Sequence, residues 1–441
     1  MQKFIITGGT PLHGSVRVGG AKNASYKLMI ASLLADNESQ LLNFSRISDV
    51  ALVSQIIEYL GGQVRQAGER AIFINPNTLK SFTINPEHGA QGRFSTMFIP
   101  ILLAKFGQAA VPAPGGDKIG NRPLDRHLEG LQALGAKIEF KNGMYVATAP
   151  YGLKGTTYHF TKNTHTGTET LIMAAVKAQG KTVLENVAEE PEIDDLIELL
   201  TQMGAWVRRR PDRIIEIEGV EQLHGAIHKV MPDRNETVSY ACAALATKGD
   251  IIVENARHQD LTAFLEKIDQ IGAGYEVGDY GVRFFYKNQL QAVDIVTAVH
   301  PGFMTDWQPL MATLLTQCHG ISTIHETIMP NRFQYVDALV TMGAQIEKFK
   351  PEVAVPETFY NFDLKDNRPE YTHAIKITGP VQLKAGTFKV LDLRHGATLV
   401  AAALTAEGTS MLTNIEQIDR GYEDLDGRLR SMGAKIERVE E

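Results

Sequence analysis

The sequence predicts an α/β protein of two similar domains, each holding three copies of one strand–helix unit. Two recurring phrases and the spacing between their copies predict it. The first phrase is an apolar residue, Gly, a small residue, any residue and a second apolar residue. It occurs as Leu60-Gly61-Gly62-Gln63-Val64, Leu134-Gly135-Ala136-Lys137-Ile138 and Met203-Gly204-Ala205-Trp206-Val207, then as Ile271-Gly272-Ala273-Gly274-Tyr275, Met342-Gly343-Ala344-Gln345-Ile346 and Met432-Gly433-Ala434-Lys435-Ile436. Each copy closes an amphipathic stretch, such as Val336, Leu339, Val340 and Met342, and opens an alternating or β-branched one. Glycine there supplies the left-handed backbone that stops a helix and turns the chain into a strand. The second phrase, ahead of each helix, is a polar turn, a β-rich run and a polar loop: DNESQLLNF, FGQAAVPAP, QGKTVLENV, KGDIIVENA, CHGISTIHE and EGTSMLTNI. The glycines are similarly spaced except in the last interval, where Pro351, Pro356, Pro369 and Pro380 predict an inserted loop and strand excursion. A unit this long suits two globular domains better than a stacked solenoid.

In chain order, residues 3–7 read as a strand with no helix of its own before Gly19-Gly20, compatible with either domain. Leu28, Ile30, Leu33 and Leu34 mark the helix after that turn. Residues 112–125 read PAPGGDKIGNRPLD, and such density of proline and glycine excludes a regular element through the middle. Helical spacing resumes at Leu124, Leu128, Leu131 and Leu134. A glycine-rich turn running into a helix leaves N–H groups free for an anion, and Asp117, Lys118 and Arg122 lie in it. The domain division falls near 230–233, between the third and fourth units.

With 441 residues, 44% of them hydrophobic, the chain has ample material for two cores. A net charge of −7 argues against a general nucleic-acid binder, whereas clustered arginines can still form a local site for small anions. Cys242 and Cys318 sit in apolar contexts without partner spacing and read as buried thiols. The start, MQKFIITGG, lacks the features of a signal peptide, and no apolar run reaches membrane-spanning length, so a cytoplasmic protein with no membrane partner is expected. Walker A, GxGxxG and HExxH motifs are absent. His127, His165, His300 and His395 lack metal-ligand spacing, and most of them read as satisfied or exposed side chains.

Several clusters carry chemistry instead. Gly19-Gly20-Ala21-Lys22-Asn23 places a lysine and an amide after a glycine turn, and His300-Pro301-Gly302-Phe303-Met304-Thr305-Asp306 places an aspartate after a rigid one. Pro330-Asn331-Arg332-Phe333 and Ile418-Asp419-Arg420-Gly421-Tyr422 put arginines at loop–helix borders, and Asp392-Leu393-Arg394 puts one at a strand end. Arginine forks grip carboxylate or phosphate bidentately, lysine serves phosphate as a point charge, and loop aspartates are available for proton transfer.

At these residues the sequence resembles the UDP-N-acetylglucosamine 1-carboxyvinyltransferase family. The resemblance rests on GGAKNA (19–24), GGDKIGNRPLD (115–125), EPEI (190–193), PDR (232–234), HPGFMTD (300–306), NRF (331–333), DLR (392–394) and IDRGYE (418–423), in order along essentially the whole chain. It implies the enolpyruvyl-transferase fold, an inside-out α/β barrel protein with six βαβαββ units, three per domain, and the active site in the cleft between. Residues 1–20 plus 232–441 would form one domain, and 21–231 the other, with the catalytic loop 112–125. The implied reaction moves enolpyruvate from phosphoenolpyruvate to the sugar 3′-hydroxyl and releases phosphate, without metal or redox cofactor. It is the first committed step of peptidoglycan synthesis. The resemblance implies that Lys22, Asn23 and Arg122 hold the phosphate of phosphoenolpyruvate, that Arg394 and Arg420 hold its carboxylate, and that Asp306 takes the hydroxyl proton. It places Arg93, Arg122, Pro123, Leu124, Asp125, Arg126, Asn163, Thr164, His165, Thr166, Gly167 and Ile328 against the nucleotide sugar, and Arg332 belongs to the same substrate-binding set.

Three positions depart from the family pattern. Asp117 stands where cysteine, the general acid, is usual; as a donor it must be protonated well above the ordinary carboxyl range. Without that thiolate, insensitivity to fosfomycin is expected. His165 stands where a small hydroxyl residue is common, and HGAQG before Arg93 lacks the usual basic residue. Another nucleotide acceptor, or a non-catalytic paralogue that binds the nucleotide sugar, are the alternatives.

Overall fold

The computed structural model describes residues 2–115 and 124–440. They divide into two compact units, one of residues 2–19 and 232–440, the other of residues 20–115 and 124–231. The fold is mixed α/β, with six small sheets, three in each unit.

In the first unit, Gln2–Thr7 lies between Thr409–Thr413 and Lys435–Glu440, antiparallel to both, and Thr387–Lys389 extends that sheet in parallel. The opening strand thus belongs to this unit, fixed by pairs such as Lys3 with Thr413 and Gln2 with Glu440. A second sheet runs His13–Arg17, Asp250–Glu254, Gly281–Phe285, Gly274–Gly278, and a third Ile295–Val296, Gly320–His325, Ala374–Gly379, Gln345–Phe349. In the second unit, two sheets have the same plan, and the third has three antiparallel strands plus an isolated parallel bridge from Thr83 to Ala110. Every four-stranded sheet contains one parallel pair and two antiparallel ones.

Helices fill the centre of each unit. Arg234–Ala246, Gln308–Leu315 and Leu393–Thr405 pack on one another in the first unit, nearly every residue buried. Helices buried on all sides carry no amphipathic stripe, and runs such as Tyr240 to Ala246 are apolar or small all round. Cys242 and Cys318 lie in this core as free thiols, pushed well above the ordinary thiol range by burial.

The six repeated glycines, Gly61, Gly135, Gly204, Gly272, Gly343 and Gly433, all have positive φ between 78° and 102°. Each sits just past a helix, as the caps require. The second phrase hides a device that composition does not reveal. In four of its copies Asn43, Asn186, Asn255 and Asn414 take φ of 55° to 66° at a strand end. Their side-chain amides donate to Val230, Phe160, Val18 and Val390 carbonyls, at 3.0, 2.6, 3.2 and 2.6 Å. Asparagine tolerates this backbone better than other branched or bulky residues, and its amide ties the strand end to the neighbouring segment.

The proline-rich interval is an insertion with two short helical turns, Pro356–Phe359 and Leu364–Asp366, ahead of Ala374–Gly379. Its Tyr360 and Phe362 stack at 4.8 Å and pack with His325 and His373. Among the described residues, no helix is long and apolar enough to cross a membrane.

Candidate functional site

The sequence-predicted residues fall into two groups, one in each unit, and Asp117, Arg122 and Pro123 lie outside the described residues.

In the second unit, the helix Lys22–Ser32 begins at Lys22 itself, so Lys22 and Asn23 form its first turn rather than a loop before it. Lys22 is buried, 2.9 Å from Asp49 Oδ2, with its ammonium 5.3 Å from the Tyr26 ring. Tyr26 packs on Phe94 at 5.5 Å, which places the short helix Arg93–Met97 against the Lys22 helix and sets Arg93 at its start. Leu124 is buried ahead of the helix Asp125–Ala133, where Asp125 is exposed and Arg126 half-buried. The Tyr158 hydroxyl donates to the Arg126 carbonyl at 3.3 Å; burial, then Glu129, pushes that phenol up to about 12. His127 Nε2 lies 2.8 Å from Thr166 Oγ1, joining this helix to His165–Ala175.

The 163–167 stretch is a helix start. Asn163 donates to the Val187 carbonyl at 2.8 Å, and Thr164 caps the helix by accepting the Gly167 N–H at 3.3 Å. A Cβ at Gly167 would come within 2.5 Å of the Thr164 side chain, so glycine keeps that cap in place. His165 opens the helix and reaches Glu169 and Lys27 through Nε2.

In the first unit, Asp306 lies between two guanidinium groups. Arg332 Nη2 is 3.0 Å from Oδ1 and Arg394 Nε is 3.2 Å from Oδ2. Both arginines are buried, while about a quarter of the Asp306 side chain remains exposed. Arg394 lies inside a helix, not at a strand end: Asp392 caps Leu393–Thr405 by accepting the Arg394 and His395 N–H groups, each at 2.9 Å. Asp233 does the same for Arg234–Ala246. The DLR and PDR motifs are thus capped helix starts that aim their later residues from rigid backbone. Arg394 Nη1 also donates to the Tyr422 hydroxyl at 2.9 Å. Burial opposes its charge, but Tyr422, Asp306 and Asp233 outweigh it and raise its pKa. Ile328 is fixed by Glu326, whose Oε1 accepts the N–H groups of Ile328 and Met329 while Oε2 accepts from Thr305. Burial pushes that carboxyl up despite these donors. Arg420, just past the short helix Glu416–Asp419, is half-buried and 3.5 Å from Gln417 Oε1.

Residues that the sequence reading left without a role are Asp49, Tyr422, Lys27 and Glu169. Asp49 and Lys27 have no local signal, Tyr422 lies inside the IDRGYE motif without a role of its own there, and Glu169 stands among threonines at the start of its helix. A possible cation cluster, Asp195, Glu198 and His228, is elsewhere in the second unit. Asp195 is already engaged there, 2.9 Å from His228 Nε2 and accepting the Met231 N–H at 3.2 Å.

The first unit thus holds a part-exposed carboxylate between two buried guanidinium groups, and the second a buried lysine at a helix start. Residues 6–429 match the family model described as EPSP synthase (3-phosphoshikimate 1-carboxyvinyltransferase). UDP-N-acetylglucosamine 1-carboxyvinyltransferases of Protochlamydia amoebophila and Halothermothrix orenii are each 38% identical, over all of this chain and 95% and 100% of theirs. The enzyme of that name from Chlamydia trachomatis is 40% identical over 98% of this chain and 97% of its own. Among solved structures, the enolpyruvyl transferase NikO of Streptomyces tendae superposes with a TM-score of 0.86 at 21% identity, covering 99% of both chains. EPSP synthase of Acinetobacter baumannii gives 0.74 at 17%, covering both chains fully. By the family match over residues 6–429 and by its relatives at 38–40% identity, the chain belongs to the enolpyruvyl transferases of the EPSP synthase family.

Proposed function

We propose that this protein transfers the enolpyruvyl group of phosphoenolpyruvate to the 3′-hydroxyl of UDP-N-acetylglucosamine, releasing phosphate, as a cytoplasmic enzyme of peptidoglycan synthesis. The observation that carries the reading is the Arg332–Asp306–Arg394 constellation, a part-exposed carboxylate flanked by buried guanidinium groups. The names of the full-length relatives supply the acceptor. On this reading the fold is two domains of three βαβαββ units.

The chemistry is addition followed by elimination. Asp306 accepts the proton of the sugar hydroxyl as its oxygen bonds to C2 of phosphoenolpyruvate, while Asp117 delivers a proton to C3 and makes it a methyl group. The Asp117 carboxylate then takes a methyl proton back as the C2–O bond to phosphate breaks, which restores the double bond in the product ether, and phosphate leaves with the proton that Asp306 had taken. Lys22, Asn23 and Arg122 hold the phosphate, Arg394 and Arg420 the carboxylate. Arg93, Leu124, Asp125, Arg126, residues 163–167, Ile328 and Arg332 line the acceptor. Guanidinium groups beside Asp306 orient it before substrate arrives, which preorganises the base.

Phosphate release from phosphoenolpyruvate, measured with UDP-N-acetylglucosamine and with other UDP sugars, tests the proposal. Release with UDP-N-acetylglucosamine is expected. Release only with another nucleotide, or none at all, would replace it with another acceptor or a non-catalytic binding role.

A further inference from the structure

The loop that leads to Asp306 is clasped at both ends to one short segment, the end of the strand Gly320–His325 and the two residues after it. Where the loop begins, the Thr297 N–H donates to the His325 carbonyl at 2.9 Å, and Thr297 Oγ1 accepts the Thr327 N–H at 2.8 Å. Thr327 Oγ1 donates in return to the Thr297 carbonyl at 2.6 Å. Where the loop ends, one residue before Asp306, Thr305 Oγ1 donates to Glu326 Oε2 at 2.9 Å. Between these points the Phe303 carbonyl accepts the Ala298 N–H at 2.9 Å and closes the loop on itself.

Glu326 and Thr305 are 1% and 8% exposed. Glu326 Oε1 accepts the N–H groups of Ile328 and Met329, at 2.8 and 3.0 Å, which can only donate. Capping those two amides occupies one oxygen; the other is given to Thr305. The Glu326 backbone is fixed by the proline-rich insertion: its N–H donates to the His373 carbonyl, and the Asn361 N–H donates to the Thr327 carbonyl, each at 2.8 Å. Arg332 and Arg394 grip the Asp306 carboxylate, whereas the backbone from which it extends is held through its neighbour Thr305.

We infer that Thr305 and Glu326 act together as positioning residues for Asp306, fixing the backbone from which its carboxylate reaches the two guanidinium groups. That Asp306 accepts a proton rests on the function proposed above; the clasp does not. Through Thr305, Glu326 governs the rate of proton transfer rather than the binding of either substrate.

Two measurements on the full chain test it. Thr305→Val removes the hydroxyl at nearly constant shape and leaves Ile328 and Met329 on Glu326 Oε1, while Thr305→Ser keeps the hydroxyl. The first measurement is hydrogen exchange of the free enzyme. Amides of residues 303–307 should exchange about tenfold faster in Thr305→Val than in wild type or Thr305→Ser. The second is phosphate release. Turnover of Thr305→Val should fall about tenfold, the scale of one hydrogen bond to a charged group, with KM for both substrates unchanged and Thr305→Ser near wild type. In an Asp306→Asn background, Thr305→Val should cause no further loss, because no base is left to misplace. Nor should it add to the loss in Glu326→Ala, which removes the same tie. Unchanged exchange in Thr305→Val overturns the clasp whatever the reaction. Faster exchange with normal turnover, or with a loss that persists in the Asp306→Asn background, overturns the positioning role and leaves the proposed reaction intact. A wild type that releases no phosphate from phosphoenolpyruvate with any UDP sugar overturns Asp306 as the base, and with it the role given to this pair.

Discussion

The Tyr422 hydroxyl lies 2.9 Å from Arg394 Nη1 and 2.6 Å from Ser239 Oγ, so a buried phenol joins the Asp306 cluster to the helix Arg234–Ala246. Ser239 in turn donates to the Asn235 carbonyl at 2.7 Å, and Asn235 Oδ1 accepts from the Trp307 indole at 2.9 Å. The chain returns to the residue beside Asp306 and makes the arrangement a closed, rigid frame. Tyr422→Phe keeps the packing but leaves Arg394 with a buried donor unpaired, at a cost of about 1–3 kcal/mol. The KM for phosphoenolpyruvate should rise about tenfold, with UDP-N-acetylglucosamine binding by the free enzyme unchanged in calorimetry. Arg394→Lys, which loses the fork, should fail in the same direction.

Asp306→Asn keeps the shape between Arg332 and Arg394 and removes the proton acceptor. Turnover should fall about a hundredfold or more, the usual contribution of a positioned base. Nucleotide-sugar binding should persist. Near-normal turnover by phosphate release would remove Asp306 from the mechanism.

Asp117 calls for a different test, since it lies outside the described residues. Fosfomycin acts by opening its epoxide on a thiolate, and a carboxyl group is far less nucleophilic. Activity should survive fosfomycin, and Asp117→Cys should gain sensitivity while remaining active. Cys242 and Cys318 cannot substitute, being buried with thiols raised by desolvation. A stoichiometric adduct on Asp117 in mass spectra of the wild type, with loss of turnover, would refute this.

The inserted segment supplies a pH test. His373 is lowered to about 4, first by burial and then by His325 and Lys350, and burial lowers His325 as well. Both rings bind protons more readily unfolded than folded, so their contribution is intact above the ordinary histidine value of about 6.5 and is lost as pH falls from there towards 4. His373 Nε2 is 2.9 Å from Asn367 Oδ1, a contact that glutamine can reproduce without titrating. Thermal melts should therefore show His373→Gln losing less stability than wild type between pH 7 and 5. Parallel loss in the two proteins would assign the acid sensitivity to other groups.

How far the fold could be read from sequence depended on whether the determinant was local. The six glycine caps were legible because a helix end needs positive φ within a fixed distance of the last apolar residue, and that requirement repeats. Lys22, Arg332 and Arg394 stood out as cations at element borders, although Lys22 and Arg394 lie within the first turn of a helix rather than before it. The asparagines at strand ends escaped notice because polar residues there are common, and only the partner carbonyl, far away in sequence, explains them. Lys27 with Glu169, and Tyr422 with Arg394, are agreements between elements distant in the chain, and no periodicity reports them.

The strand Gln2–Thr7 is held between Thr409–Thr413 and Lys435–Glu440. Both partner strands come after the whole of the second unit in the chain. Every strand and helix of the second unit between residues 20 and 231 can already be on hand while this segment waits. The Asn43 tie to Val230 needs nothing beyond the second unit, whereas the first unit cannot close until Lys435–Glu440 has been made. Pairing so remote in sequence is slow, and an unmatched strand left waiting is a hazard for association with other chains. The second unit can thus be completed before the first, although the first supplies the earlier strand.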